Sequence, residues 1–144
     1  MATFSTNPKI YLTKMTSLIF VLIAGMFNAI MDLCGKYDYT IFSKFPRMRK
    51  FMDSSESWRN KYKNGDRSQG PRFLFSTKFL VCLTDMWHLC KTLMLFFLSI
   101  SIVKYSPMIV WYLDFLIYWI AFGTSFTIFY DYLFLLKKYW AKPW

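Results

Sequence analysis

The sequence predicts an all-α polytopic membrane protein, with three transmembrane helices and one short amphipathic helix lying at the bilayer interface. Three observations carry this reading. Three apolar runs are each about long enough to cross some 30 Å of hydrocarbon, which takes about 17–25 residues in a helix. The chain is 56% hydrophobic and 22% aromatic, and many of its aromatics flank those runs, as an interfacial belt would. Its formal net charge of +10 is concentrated between and beyond the runs rather than within them. The 144 residues suit a single membrane domain.

The first span covers about Thr16–Leu33. Lys9 and Lys14 precede it in the manner of a signal peptide. Asp32, Cys34 and Lys36 then stand where small cleavage-site residues belong, so the run reads as a retained span. The second span covers about Phe79–Val103 and the third about Met108–Leu136. The third exceeds the hydrocarbon thickness and is expected to tilt or project, with Gly123-Thr124-Ser125 as a place to kink or break. Lys104-Tyr105-Ser106-Pro107 joins the last two spans. So short a connection implies an antiparallel hairpin, with Pro107 suited to a first helical turn.

Between the first two spans lies the polar segment Gly35–Lys78, which holds eleven Lys and Arg residues. Lys137, Lys138 and Lys142 raise that side to fourteen, against Lys9, Lys14 and Lys104 on the other. The positive-inside bias therefore places the N-terminus outside and the basic loop and C-terminus in the cytoplasm. Within the loop, Asp53 and Glu56 have capping-box spacing and Asn64-Gly65 is a helix stop. The helix between them puts Trp58 and Tyr62 on one face beside Arg59 and Lys63, as interfacial aromatics over anionic headgroups. Packing on the helical ends is an equal and compatible expectation. Attraction to anionic lipid accounts for the basic charge without nucleic acid.

The second apolar run carries titratable groups. Asp85, His88 and Lys91 stand among Leu, Phe, Met and Trp, and each such group costs several kcal/mol in hydrocarbon unless it pairs or faces a polar interior, about 2.5–3.5 on insertion scales. Read as one helix, the run gathers Thr77, Thr84, Asp85, His88, Lys91, Thr92 and Ser99 into a polar stripe. Asp85 and His88 then lie about 9 and 13 Å into the span, in the same leaflet as Asp32 and Asp131. Two chemistries follow. In the first, Asp85 and His88 are candidate catalytic residues, and Asp32, Asp85, His88 and Asp131 candidate ligands of a divalent metal ion. Arg59, Lys61 and Arg72 then hold a phosphate headgroup. In the second, the same groups form an ion-pair network that fixes helix packing. Lys91, near mid-span, is expected to pair with Asp114, to snorkel or to titrate neutral, and Lys91 and Asp114 of several protomers set round a common axis would line a wet pore.

No HExxH, GxSxG, Walker or CxxC pattern occurs, and the single His excludes a multi-His zinc centre within one chain. Cys34, Cys82 and Cys90 read as reduced packing residues. Cys82 and Cys90 stand about 12 Å apart along one helix, too far for a disulfide.

The stretch Glu56–Leu89 resembles one in small uncharacterised integral membrane proteins of bacteria and their phages. The matching residues are Trp58, Arg59, Asn60, Lys61, Gly65, Asp66, Thr84, Asp85, Trp87 and His88. The resemblance implies a bacterial inner membrane or a virus-associated membrane and no activity. The leading expectation is a structural or accessory protein, as a homo-oligomer or with a partner membrane protein. A metal-dependent enzyme acting on a lipid or phosphate headgroup is the alternative, and a holin-like channel the second.

Orientation is directly testable. On a background without native thiols, Asn7→Cys should react with membrane-impermeant reagents from outside the cell, and Ser68→Cys should be protected. The reverse pattern would overturn the assigned sidedness.

Overall fold

A computed structural model describes residues 8–136, with side chains from Met15 onward. Asn7, Lys137, Lys138 and Lys142 lie outside the described residues, as do the side chains of Lys9 and Lys14. The described chain is all-α. Helix α1 runs Pro8–Leu33, α2 Met86–Val103 and α3 Trp111–Thr127. Three stretches are long and apolar enough to cross a membrane: Met15–Tyr39, Met86–Val103 and Trp111–Phe134.

Helix α1 is the middle helix. It packs against both α2 and α3, which make little contact with each other. Ser17 meets Ser101, and further along α1 Phe27 meets Phe97, so α2 runs antiparallel to α1. Leu22 meets Ser125 and Lys36 meets Tyr130, so α3 runs parallel to α1. The last two spans are therefore antiparallel, as the short connection implies. They are held through α1 rather than against one another.

Lipid tails are as apolar as leucine, so close packing and interhelical hydrogen bonds must hold such helices together. The residues of α1 suit that. Ser17, Val21, Ala24, Gly25, Ala29 and Leu33 are buried. The Ser17 hydroxyl donates to the Ser101 carbonyl at 2.8 Å, and the Ser101 hydroxyl donates back to the Ser17 carbonyl at 3.1 Å. Phe97 stacks against Phe20 and Phe27, with centroids 5.9 and 5.7 Å away. On the other side the Ser125 hydroxyl donates to the Leu22 carbonyl at 2.6 Å. Gly25 permits that approach. A Cβ there would stand 2.6 Å from the Phe122 carbonyl oxygen and 2.9 Å from Ser125 Cβ.

Three expected boundaries move. The second span is not one helix from Phe79. Phe79–Leu83 is a separate 3-10 turn, and α2 starts at Met86 with Asp85 as its N-cap. A carboxylate is costly inside an apolar helix. At the N-cap it accepts amide N–H groups and meets the positive end of the helix dipole. Thr77, Thr84 and Asp85 thus precede the helix, and the continuous polar stripe does not form. Pro107 lies in the connection, not in a helical turn, because α3 begins only at Trp111. Helix α3 passes through Gly123-Thr124-Ser125 unbroken, and the irregular part is the π-helical turn Ile128–Phe134 that follows.

The basic segment is folded, as a chain of short turns capping one end of the bundle. Tyr37 is buried, and its hydroxyl lies 3.0 and 2.9 Å from the carbonyls of Phe42 and Phe45. Phe42 packs on Phe134 at 5.2 Å, and Met52 is buried beneath. The expected amphipathic helix is two short pieces, the α-turn Ser54–Ser57 and the 3-10 turn Trp58–Lys61. Asp53 caps the first through Ser55 N–H at 3.0 Å, but Glu56 does not return to complete the capping box. Arg49 takes it instead, at 3.0 Å. The chain leaves helical geometry at Tyr62, two residues before Asn64-Gly65.

Gly25→Ala should lower stability in micelles by about 1–3 kcal/mol, the usual cost of overfilling a close contact. Gly123→Ala, with open space around the added methyl group, should be neutral or stabilising by up to about 1 kcal/mol. Reversible denaturation of both variants checks the contrast.

Candidate functional site

The polar residues singled out in the sequence fall into three separate arrangements. The first is at the start of α2. Asp85 is 3% exposed and has extended backbone geometry, φ −153° and ψ 157°. Its Oδ1 accepts the His88 backbone N–H at 2.9 Å. Both carboxylate oxygens stand 2.8 Å from His88 Nδ1, and the Thr84 hydroxyl donates to Oδ2 at 3.3 Å. One carboxylate thus caps the helix and orients the only imidazole in the chain. The i, i+3 spacing that suggested a catalytic pair is equally that of a cap and the residue it holds.

The other two proposed metal ligands do not join them. Asp32 is exposed and Asp131 half-buried. Among the described residues, no three His, Cys, Asp or Glu side chains are grouped to hold a metal ion. Asp32 near the end of α1, Asp85 and His88 at the start of α2 and Asp131 just after α3 share one end of the bundle without converging on one point. The three cysteines are free, as expected, with Cys34 and Cys90 buried.

The second arrangement lies at the opposite end of the bundle. Asp114, in the first turn of α3, is 1% exposed. It accepts from the Tyr105 hydroxyl at 2.7 Å, Met108 N–H at 2.8 Å and Ile109 N–H at 3.0 Å. The hydrogen bond to this carboxylate, with burial second, pushes the Tyr105 phenol up to about 12. Lys91 does not pair with Asp114. It lies only about 8 Å along α2, given 1.5 Å per residue, exposed, with its ammonium 5.0 Å from the centre of the Trp87 ring.

The third arrangement is the cap. Arg49 gathers three carboxylates: Asp38 at 3.3 Å, Asp53 at 3.3 Å and Glu56 at 3.0 Å. Asp53 is a local partner of Arg49 at i, i+4, whereas Asp38 lies 11 residues away. Asn60 ties cap to bundle. Its side-chain amide donates to the Lys50 carbonyl at 2.5 Å and to the Thr84 carbonyl at 3.0 Å, one residue before the Asp85 cap. A hairpin follows, closed by Arg72 N–H to the Lys61 carbonyl at 2.9 Å and Lys63 N–H to the Gly70 carbonyl at 3.1 Å. At its tip the Ser68 backbone N–H holds the Asp66 carboxyl below the usual carboxylate range.

Between these pieces opens a cleft of about 760 Å³, with Lys50, Arg59, Arg72, Glu56, Asn60 and Tyr62 in its walls. Of the three expected headgroup cations, Arg59 and Arg72 line it. Lys61 does not, because its carbonyl is part of the hairpin and its ammonium lies 5.7 Å from the Tyr62 ring centre. Lys50 takes its place. Trp58 and Tyr62 meet edge to face at 6.4 Å, as their i, i+4 spacing suggests, and the Arg59 guanidinium lies 5.4 Å from the Trp58 ring centre. Trp58 stays 43% exposed. Phe73, Leu74, Phe75 and Phe79 are also exposed just before α2. Of these, only Phe79 falls in the expected second span; Phe73, Leu74 and Phe75 end the segment Gly35–Lys78.

Against known proteins, the chain matches no family model, no curated sequence and no solved structure.

Asp85→Asn should lower stability by about 1–3 kcal/mol, because it weakens the charge-assisted bonds that a buried carboxylate makes to His88. Asp131→Asn, outside the cap, should stay within about 0.5 kcal/mol of the parent. Equal losses from both would restore a single shared cluster.

Proposed function

We propose that the chain is a small integral membrane protein with a structural or accessory role, whose folded basic cap lies on an anionic bilayer surface. The observation that carries this is the construction of the cap. Cations and exposed aromatics occupy one folded body, and Asn60 fastens that body to the start of α2. A tether that only supplied charge would need neither. The cap is cytoplasmic in this reading, supported by the fourteen-to-three distribution of Lys and Arg. The Glu56–Leu89 resemblance supports a bacterial inner membrane or a virus-associated one. The described apolar faces of α2 and α3 leave room for lipid, a second copy or a partner membrane protein.

The closed Asp85–His88 pair favours this role over catalysis, since both carboxylate oxygens are already engaged by one residue. The enzyme reading keeps one supporting feature, the cationic cleft, which would hold a headgroup whether or not chemistry follows.

A spin label at Ser54→Cys, on a background without native thiols, reads the position of the cap in nanodiscs. It should be shielded from a water-soluble relaxation agent in phosphatidylglycerol and less so in phosphatidylcholine. High salt should reduce the difference, because each cation near the surface contributes about 1 kcal/mol that is screened within a Debye length. Trp58→Ala should reduce it further. Equal accessibility in the two lipids would place the cap away from the surface.

A further inference from the structure

We infer that the cleft in the cap is a specific binding site for a phosphate group, presented by an anionic phospholipid headgroup or by a free phosphate. The inference deepens the surface reading above and rests on it for the position of the cleft beside the bilayer. Three cations, Lys50, Arg59 and Arg72, line one concave space. None has a carboxylate within ion-pair distance among the described residues. The one acidic wall residue, Glu56, is already held by Arg49. Like charges gathered round a cavity repel, and an anion between them reverses the sign of that interaction. Guanidinium groups suit phosphate in particular, since their planar N–H fork matches two of its oxygens.

The walls are set before any ligand arrives. Arg59 sits in the 3-10 turn whose Asn60 is bonded to Lys50 and Thr84. Arg72 sits on the returning arm of the turn, its N–H bonded to the Lys61 carbonyl, beside the Tyr62–Pro71 bridge. Lys50 is in the turn Arg49–Met52, anchored by the Arg49 ion pairs. Three separate elements thus present one cation each. The volume exceeds what a bare phosphate fills and lies in the range of small-molecule sites, about 300–1,000 Å³. Tyr62 lines the cleft and Trp58 packs on Tyr62, so an aromatic edge suited to the headgroup layer borders the site.

The test uses the full chain in neutral detergent micelles and a fluorescent short-chain phosphatidylglycerol. The chain should bind it, and the phosphatidylcholine counterpart at least about tenfold more weakly, since the zwitterion offers no net charge to the cations. Arg59→Gln with Arg72→Gln should raise Kd at least about tenfold, because charge-assisted hydrogen bonds are roughly twice as strong as neutral ones. Lys44→Gln with Arg67→Gln removes the same charge from exposed positions outside the cleft, and should change Kd less than about threefold. Arg59→Lys with Arg72→Lys should retain most binding, which separates loss of the site from loss of the fold. Competition by inorganic phosphate would identify the free anion as sufficient. Lipid binding that phosphate does not displace would identify the headgroup. Equal weakening by both Gln pairs would overturn the cleft while leaving diffuse attraction to the surface in place. Equal affinity for the two lipids would overturn the cleft as well. Failure of the spin-label contrast in nanodiscs, by comparison, sinks the surface reading itself.

Discussion

The close contact of α1 with two helices at once is the constraint on which the rest of the structure depends. In lipid there is no hydrophobic gain from bringing apolar helices together, so proximity has to come from small residues and hydrogen bonds. Helix α1 spends its small residues on both sides: Ser17 toward α2, and Gly25 toward the backbone of α3. Because α2 and α3 each lean on α1, their own outward faces remain open, with Trp111, Phe115, Trp119 and Ile120 exposed. Such a face is unremarkable in hydrocarbon and untenable in water. The cap follows from α1 too. The chain passes from Leu33 directly into the turn Cys34–Tyr39, whose buried Tyr37 starts the folded segment.

Charged residues in the apolar runs mark where helices stop. Asp85 caps α2 and Asp114 catches the connection that leads into α3. Each carboxylate is buried and each takes backbone N–H groups near a helix N-terminus. The desolvation that makes an unpaired carboxylate so costly in a membrane is offset locally in both cases. In the cap, Arg49 takes Asp38, Asp53 and Glu56 together, while the cleft cations Lys50, Arg59 and Arg72 have no ion-paired carboxylate among the described residues.

Hydropathy and charge asymmetry made the three spans and the intervening basic segment legible, because both report burial in lipid and need no tertiary information. The Trp58–Tyr62 contact was legible as a short-range pairing, although a 3-10 turn ending in an extended Tyr62, not an α-helix, brings the rings together. The middle position of α1 was not, since an apolar helix looks the same whichever neighbours it has. The start of α2 was misplaced because Phe79–Leu83 is apolar enough to continue the run. The competing signal was present in Thr84-Asp85, a good capping pair ahead of a periodic stretch. A capping Asp85 holds His88 through its i, i+3 spacing and needs neither Asp32 nor Asp131. Arg49 and Asn60 act over 11 and 24 residues of separation, through contacts that exist only once the cap has folded.

Disulfide cross-linking of the full chain in native membranes, on a background without the three native cysteines, tests the central place of α1 most directly. Ser17 and Ser101 hydroxyls lie 3.0 Å apart, whereas Leu98 of α2 and Phe122 of α3 both line an open groove of about 380 Å³ that also touches Val21 of α1. Ser17→Cys with Ser101→Cys should cross-link rapidly under mild oxidation, and Leu98→Cys with Phe122→Cys should not. Rapid cross-linking of the second pair with none of the first would mean that α2 and α3 pack directly on each other, and that α1 is not the helix that holds them.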